Sequence, residues 1–297
     1  MINNVFNVVS VRPFVKWVGG KTQLLPALTN SLPKFSRYHE PFVGGGAMFF
    51  HLYAKGLIKD AYLYDYNEDL LNLYQVIKTN PLDLINELKS KKYSNTEEAF
   101  YNMRSLSPED VVEKAARFMY LNRTAFNGLY RVNSKGGFNV PFGRYKKLSL
   151  PSTALLLKDS EALHNVNLIK GDFSNVLEYA KQGDLVYFDP PYQPVSKTAS
   201  FTNYTASNFL EPDQERLANI FKKLDKKGCY VMLSNSSTEL ITSLYSNYHI
   251  EEVLASRVIN CKPEGRGKIK EFIVRNWEIR KQQKQLHELK EFAPIKA

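Results

Sequence analysis

The chain has 297 residues, of which 43% are hydrophobic and 24% are charged. These fractions are ordinary for globular proteins and argue against a disordered or collagenous chain, and the length predicts two domains or one large domain with an insertion. The 40 Lys and Arg residues outnumber the 30 Asp and Glu residues, so the formal net charge is +10. We therefore expect a polyanionic partner or an anionic surface, and the many aromatic rings could stack on bases or fill a core.

The first residues, Met1 to Phe6, lack the basic and apolar segments of a signal peptide, and no apolar run is long enough to span a membrane. Cys229 and Cys261 are too few for a disulfide framework, which predicts a reducing cytoplasm. The histidines are scattered without the spacing of a metal site, so we expect no metal.

Four short apolar runs that end in acidic or small polar residues predict strands of an α/β sheet. The runs cover 61–64, 166–169, 185–188 and 230–233. Ligands of open α/β sheets bind beyond the carboxyl ends of the strands. Asp65, Asp172 and Asp189 follow three of these runs, and we expect a site at that edge.

The middle of the chain, from about Asn67 to Leu163, reads as helical and contains no further strand-then-helix unit. One helix is predicted over 108–122, and a Gly-Gly turn between two β-favouring arms predicts a hairpin over 129–142. These patterns predict a discontinuous domain, an inserted domain and a charged tail. Their boundaries are 12–66 with 165–278, 67–164 and 279–297.

A glycine-rich segment joins a short apolar stretch to a predicted helix over 48–55. Its glycines, Gly44 to Gly46, let a ligand approach the backbone, and the N-terminus of the helix presents N–H groups. A nucleotide-like cofactor is one interpretation, and a simple turn is the other. Asp65 lies about 20 residues further on, where an acid would bind the hydroxyls of a ribose, although it could also cap the next helix.

Asp189-Pro190-Pro191-Tyr192 combines a carboxylate at a strand end, two prolines without N–H groups and an aromatic ring. This combination predicts a rigid site with an acceptor and a stacking surface. It suits a planar amine whose lone pair is delocalised into a heteroaromatic ring. Acceptors that hold the N–H groups out of plane would raise the electron density on that nitrogen in the transition state.

These motifs, in this order, resemble the alpha-group DNA adenine-N6 methyltransferases of the Dam type over about residues 12–277. The resemblance implies a Rossmann-like S-adenosylmethionine-dependent methyltransferase sheet, formed by the discontinuous domain, with the inserted helices and β-hairpin as a target-recognition domain. Five segments carry the resemblance. Residues 14–21 resemble the first cofactor motif, 40–46 the glycine loop and 189–192 the catalytic loop. Residues 138–147 resemble the target-recognition hairpin, and 198–204 the loop after the catalytic motif.

The resemblance implies direct methyl transfer from S-adenosylmethionine to an adenine flipped out of duplex DNA, because N6 lies inside the base-paired stack. Asp189 and the Pro190 carbonyl would accept the two N6 hydrogens, and Tyr192 would stack on the base. The residues implied to bind the cofactor are Trp17, Lys21, Phe42, Gly44, Gly46, Asp65, Asp172 and Asp189.

The resemblance also implies a GATC target. Lys16 and Arg131 match guanine contacts, and Leu129, Asn133 and Pro141 match contacts along base edges. Arg144, Lys146 and Lys147 would hold phosphates, or form a solvated basic face. The implied partner is double-stranded DNA, with no membrane and no obligate protein partner, in the cytoplasm of a bacterium or archaeon or encoded by a phage. The sequence departs from the family pattern at Ser134-Lys135 and at 261–270.

Two rival functions remain open at this point. An RNA-modifying enzyme would share the cofactor site and the catalytic loop, but an A-form duplex hides its major groove and would leave the Arg131 hairpin without a role. A non-catalytic DNA-binding relative would keep the basic hairpin, and the intact 189–192 segment argues against it.

Overall fold

The structure is a computed structural model that describes residues 10–133, 136–194, 209–256 and 268–278. Ser134, Lys135, the segment 198–204, most of 261–270 and the tail 279–297 lie outside the described residues. The strands within the described residues are β1 (Tyr38–Pro41), β2 (Ala61–Asp65), β3 (Val166–Lys170), β4 (Leu185–Phe188), β5 (Tyr230–Ser236), β6 (His249–Ser256) and β7 (Lys268–Arg275). The helices are α1 (Leu25–Thr29), α2 (Ala47–Ala54), α3 (Glu68–Thr79), α4 (Pro81–Glu87), α5 (Glu97–Ser105), α6 (Val111–Thr124), α7 (Thr153–Leu163), α8 (Val176–Tyr179), α9 (Glu211–Lys226) and α10 (Glu239–Leu244).

The first of two compact units contains most of the described residues up to Val176, except 23–36. Its strands are parallel, in the order β3-β2-β1. Helix α3 packs on β2 and β3 and against α6 and α7. The second strand of this unit leads directly to Asp65, as the apolar run predicts.

Helix α6 confirms the helix predicted over 108–122, but it begins at Val111. The side chain of Asp110 accepts hydrogen bonds from the backbone N–H groups of Val112 and Glu113, both at 2.9 Å, and so caps the first turn. Asn67 caps α3 in the same way through the N–H of Leu70. The helical character of the middle of the chain is therefore confirmed.

The hairpin predicted over 129–142 has no continuous strands among its described residues. The chain reverses where the Asn133 N–H donates to the Gly137 carbonyl at 2.8 Å. Among the described residues, the arms pair through one isolated bridge, Val132–Phe138. Pro141 has no N–H to donate to a ladder. The prediction of a reversal is confirmed, and the prediction of two β arms is wrong.

The second unit contains 23–36 and the described residues from Leu177 onward. Its strands lie in the order β4-β5-β7-β6, with β4 and β5 parallel and β7 antiparallel to both of its neighbours. Helix α9 packs on β5. Parallel strands alternating with helices confirm the α/β fold class, whereas the division into domains at 67 and 164 stays a prediction.

A buried carboxyl lies on α7 of the first unit. The side chain of Asp159 is 0% exposed, and its Oδ1 accepts the backbone N–H of Arg12 at 3.3 Å. Its Oδ2 is buried and has no hydrogen-bond partner among the described residues. Burial raises the pKa of Asp159 to about 8, and the hydrogen bond and the charge of Arg12 oppose this rise.

We expect Asp159 to make the stability of the protein depend on pH. Its pKa in the unfolded chain is about 3.9, so the folded state binds the extra proton between that value and about 8. The stabilisation is complete below the unfolded pKa and is lost as the pH rises through the folded pKa, by at most about 1.4 kcal/mol per pH unit. Urea unfolding at several pH values between 6 and 9 should show a steeper fall for wild type than for Asp159→Asn, and parallel curves would contradict this prediction.

Candidate active site

The glycine loop leaves β1 and enters α2 through backbone conformations that few residues other than glycine adopt. Gly44 has φ of 48° and Gly46, the N-cap of α2, has φ of 67°. A Cβ atom on Gly44 would lie 2.5 Å from the ring of Trp17, and one on Gly46 would lie 2.6 Å from the hydroxyl of Tyr74. Both positions therefore require glycine, and Trp17, predicted from the sequence as a cofactor contact, lies directly on this loop.

Asp65 is tied to the glycine loop at the end of β2. Its Oδ2 accepts the N–H of Gly44 at 3.0 Å and its Oδ1 accepts the N–H of Asn67 at 2.9 Å. Burial raises the pKa of Asp65, and the backbone hydrogen bonds partly offset this rise. Because Asn67 caps α3, the alternative interpretation of Asp65 as that cap is wrong. The Tyr66 N–H is a third backbone donor to this carboxylate. Since a carboxylate has about four acceptor positions, capacity remains for a hydroxyl group.

Tyr66 is a residue that the sequence reasoning missed. It follows Asp65 directly, and 82% of its surface is exposed. Its ring is therefore an uncovered aromatic surface one residue after the half-buried Asp65. The signal in the sequence was its position directly after Asp65.

Three further residues predicted to bind the cofactor also lie in the first unit. Lys21 is 7% exposed, and its ammonium donates to the Gly19 carbonyl. Phe42 has φ of 72°, and its ring stacks on Phe173 with centroids 5.3 Å apart. Asp172 accepts the N–H of Ser174 at 3.0 Å and caps the short helix that contains Phe173, so Phe42 and Asp172 adjoin the same ring.

The catalytic loop predicted from the sequence follows β4 in the second unit. Asp189 is half-buried and Pro190 is buried. The hydroxyl of Tyr192 donates to Oε2 of Glu271 on β7 at 2.7 Å. Burial raises the pKa of Tyr192 well above its usual range, and the nearby Asp189 carboxylate adds to the effect. The ring of Tyr192 is thus held at its outer end by a side chain that the sequence reasoning did not find.

The backbone after Pro190 is bonded to polar side chains from α9 and β5. The Gln214 side chain donates to the Pro191 carbonyl at 3.1 Å, and Oδ1 of Asn235 accepts the N–H of Gln193 at 3.0 Å. The hydroxyl of Ser236 donates to the Gln193 carbonyl. The sequence indicated these contacts only weakly, through polar side chains at positions of α9 and β5 that otherwise face the core.

Two predicted DNA-contacting residues are organised by bonds across the reversal at 133–137. Nε of Arg131 donates to Oδ1 of Asn139 at 2.7 Å. Oδ1 of Asn133 accepts the N–H of Gly137 at 2.9 Å. Asn133 therefore shapes the turn, whatever it contacts in DNA.

Lys16 lies at the base of this turn region. Its backbone N–H donates to Oδ1 of Asn122 at 2.8 Å, and its ammonium lies 4.5 Å from the ring centroid of Tyr145. Burial lowers the pKa of Lys16, and the charge of Arg123 lowers it further. Asn122 is 0% exposed and also donates to the carbonyls of Lys16 and Gly128, so this missed residue joins Lys16 to the start of the hairpin.

The remaining predicted DNA contacts lie along the surface of the same segment. Leu129 is half-buried, and Pro141, Lys146 and Lys147 are exposed. The side chain of Arg144 is 78% exposed and pairs with Glu97 at 3.6 Å. Exposed pairs of this kind are weak, so Arg144 can exchange Glu97 for a phosphate at low cost.

Among the residues that the structure describes, no cluster of His, Cys, Asp or Glu could hold a metal ion. No helix in the described part is long and apolar enough to span a membrane.

Comparison with known proteins links these features to one family. Residues 17–259 match the model of the D12 class N6 adenine-specific DNA methyltransferases. A type II methyltransferase of Lactococcus lactis subsp. cremoris is 45% identical over 91% of this chain and 97% of its own length, and one of Methanocaldococcus jannaschii is 43% identical over 91% and 100%. A DNA adenine methylase of Vibrio cholerae is 36% identical over 88% of this chain and 95% of its own length.

Proposed function

We propose that this chain, which belongs to the D12 class N6 adenine-specific DNA methyltransferase family, methylates the adenine of GATC sites in double-stranded DNA after flipping that base out of the helix. The family makes it an S-adenosylmethionine-dependent enzyme that acts on DNA adenine. The observation that carries the finer proposal is the rigid Asp189–Tyr192 loop at the end of β4, in a chain with a basic reversal at 129–147. The bacterial and archaeal relatives support action in the cytoplasm.

The acceptor half of the reaction is assigned to the catalytic loop. Asp189 and the Pro190 carbonyl accept the two hydrogens of N6, and the ring of Tyr192 stacks on the flipped base. The Tyr192–Glu271 bond supports this assignment, because it restricts rotation of the ring and so lowers the entropy lost on stacking. Two acceptors fixed before the reaction stabilise the positive charge that develops on nitrogen only in the transition state.

The donor half is assigned to the first unit. S-adenosylmethionine, when bound, supplies an electrophilic methyl group on its sulfonium. The residues present fit this group: Asp65 accepts a hydrogen bond from a ribose hydroxyl, and the exposed ring of Tyr66 offers a stacking surface for the adenine ring. Gly44 and Gly46 give the loop its left-handed backbone and let Trp17 and Tyr74 pack directly against it, which fixes the loop next to Asp65.

Target recognition is assigned to the segment 129–147 together with Lys16. Arg131 and Lys16 read guanines, whereas Leu129 and Pro141 contact thymine methyl groups. Arg144, Lys146 and Lys147 hold phosphates, which set the position of the protein without reading the sequence. The bond from Arg131 to Asn139 supports the role of Arg131, because it holds the long side chain in one direction.

The proposal is tested by methyl transfer to three matched substrates: a duplex with one GATC site, the same duplex with that site altered by one base pair, and an RNA duplex of the same sequence. We expect N6-methyladenine, measured by nucleoside mass spectrometry, in the first substrate alone. A fluorescent 2-aminopurine at the target adenine should brighten on binding as the base leaves the stack. Equal methylation of the altered duplex would contradict the GATC assignment, and methylation of RNA would favour the rival function.

A further inference from the structure

A buried polar cluster lies behind the catalytic loop, and nothing in the proposed chemistry uses it. It consists of Gln214 on α9 and of Asn235 and Ser236 at the end of β5. We call these three residues the loop clamp. Gln214 and Asn235 are 0% exposed and Ser236 is 7% exposed.

The loop clamp forms one connected network in which the amide groups bond on both sides. Gln214 donates through Nε2 to the Pro191 carbonyl, and its Oε1 accepts Nδ2 of Asn235 at 3.0 Å. Oδ1 of Asn235 accepts the N–H groups of Gln193 and Ser236 at 3.0 and 2.9 Å. Ser236 Oγ donates to the carbonyl of Gln193. Because both ends of each amide are used, neither side chain can rotate without losing bonds on two sides.

The loop needs such support because it has few donors of its own. Pro190 and Pro191 have no N–H groups, so the backbone cannot form a ladder with its neighbours there. The loop clamp bonds the backbone immediately after the Pro190 carbonyl that is proposed to accept an N6 hydrogen. A shift of the Pro191 peptide would turn that carbonyl and displace the ring of Tyr192.

We propose that the loop clamp positions the two N6 acceptors and Tyr192 for methyl transfer, an inference that rests on the acceptor roles in the proposed function. Its members are positioning residues, because their bonds to the loop go to the backbone of 191–193. They determine the rate of the chemical step and leave the affinity for DNA and cofactor unchanged.

A purely structural role would make the loop clamp an ordinary buried hydrogen-bond network. The chain offers a matched control for that alternative. Ser234 lies two residues before Ser236 on the same strand and is 0% exposed. Its hydroxyl lies 2.9 Å from that of Tyr187 on β4. Ser234→Ala and Ser236→Ala each delete one buried hydroxyl from β5, but only the second removes a bond to the loop backbone.

The experiment measures single-turnover methyl transfer to a duplex with one GATC site, at saturating S-adenosylmethionine, for wild type and the two alanine variants. We expect Ser236→Ala to slow the chemical step at least tenfold, since a misplacement of about 1 Å can cost about 100-fold. Its dissociation constants for DNA and cofactor should stay within about threefold of wild type. Ser236→Thr, which keeps the hydroxyl, should recover most of the rate, and Ser234→Ala should react at nearly the wild-type rate.

A second variant keeps the test decisive if Ser236→Ala unfolds at the assay temperature. Gln214→Met has a similar length and volume but cannot donate to the Pro191 carbonyl, and it should also slow the chemical step at least about tenfold. Equal rates for Ser236→Ala and Ser234→Ala, or a wild-type rate for Gln214→Met, would overturn the role of the loop clamp. A wild-type protein that transfers no methyl group to adenine would instead overturn the proposed function, so the two failures are distinguishable.

Discussion

Replacing Asp189 with alanine is expected to slow methyl transfer at least about 100-fold, which corresponds to about 2.7 kcal/mol or more in the activation barrier. The carboxylate lies at the end of β4, followed by two prolines that cannot rearrange to present another donor or acceptor in its place. Without it, only the Pro190 carbonyl would accept a hydrogen from N6. The measurement is the single-turnover rate at saturating DNA and S-adenosylmethionine.

The matched control for this prediction is Asp189→Asn, which keeps the size and one acceptor oxygen but removes the charge. Its rate should fall between those of wild type and Asp189→Ala. Binding of duplex DNA should survive in both variants, because the basic segment 129–147 is untouched. Activity of Asp189→Ala within about tenfold of wild type would leave only about 1.4 kcal/mol for the lost contact and would exclude the acceptor role.

The acidic ends of β2 and β4 could be predicted because the information is local. An apolar run sets the strand, and the first charged residue after it must leave the buried layer, so Asp65 and Asp189 are placed by their own neighbours in sequence. The glycine loop is local for the same reason, since positive φ angles at Gly44 and Gly46 restrict those positions. In both cases a few adjacent residues suffice to predict the geometry.

The supports of the catalytic loop could not be predicted, because their partners are distant in the chain. Glu271 is 79 residues from Tyr192 and Gln214 is 23 residues from Pro191. The first pairing depends on β7 lying beside β5, and the second on α9 packing on β5 next to β4. The polar residues of β6 and β7 also hide the apolar alternation that would reveal two strands. From the sequence alone, Glu271 cannot be distinguished from a solvent-exposed glutamate, because its burial depends on the position of β7 in the sheet.

At the hairpin, by contrast, a local sequence pattern predicted two regular β-strands that the structure does not contain among its described residues. The glycines at 136 and 137 correctly indicate a reversal, but the backbone pairing stops at one isolated bridge, and side-chain bonds from Asn133 and Arg131 supplement it. Side chains that bond to nearby backbone groups compete with regular pairing. The bond from Arg131 to Asn139 also fixes the direction of the Arg131 side chain. The proposed role of Arg131 in recognition can therefore be tested by substitution.

Replacing Arg131 with alanine is expected to weaken binding to the cognate site by roughly 1–3 kcal/mol and to remove discrimination at one base pair, if its guanidinium reads a guanine edge. Nε and Nη2 of Arg131 both donate to Asn139, at 2.7 and 3.4 Å. A guanidinium has five N–H donors, so these two bonds are compatible with a bidentate contact from the outer N–H groups to O6 and N7. The measurement is the dissociation constant for the GATC duplex and for each duplex altered at one position. Discrimination at the other positions should remain as in wild type.

The contrasting variant is Arg144→Ala, which removes an exposed cation that forms a 3.6 Å ion pair with Glu97. As a phosphate contact, Arg144 should contribute equally to every duplex, so its loss should weaken all of them by a similar factor. The negative slope of log K against log salt should become shallower by about 0.9. If Arg131→Ala behaves like Arg144→Ala, weakening cognate and altered duplexes alike, Arg131 is only an electrostatic contact. Recognition of GATC would then have to come from Lys16, Leu129 and Pro141, whose substitutions would be measured on the same set of duplexes.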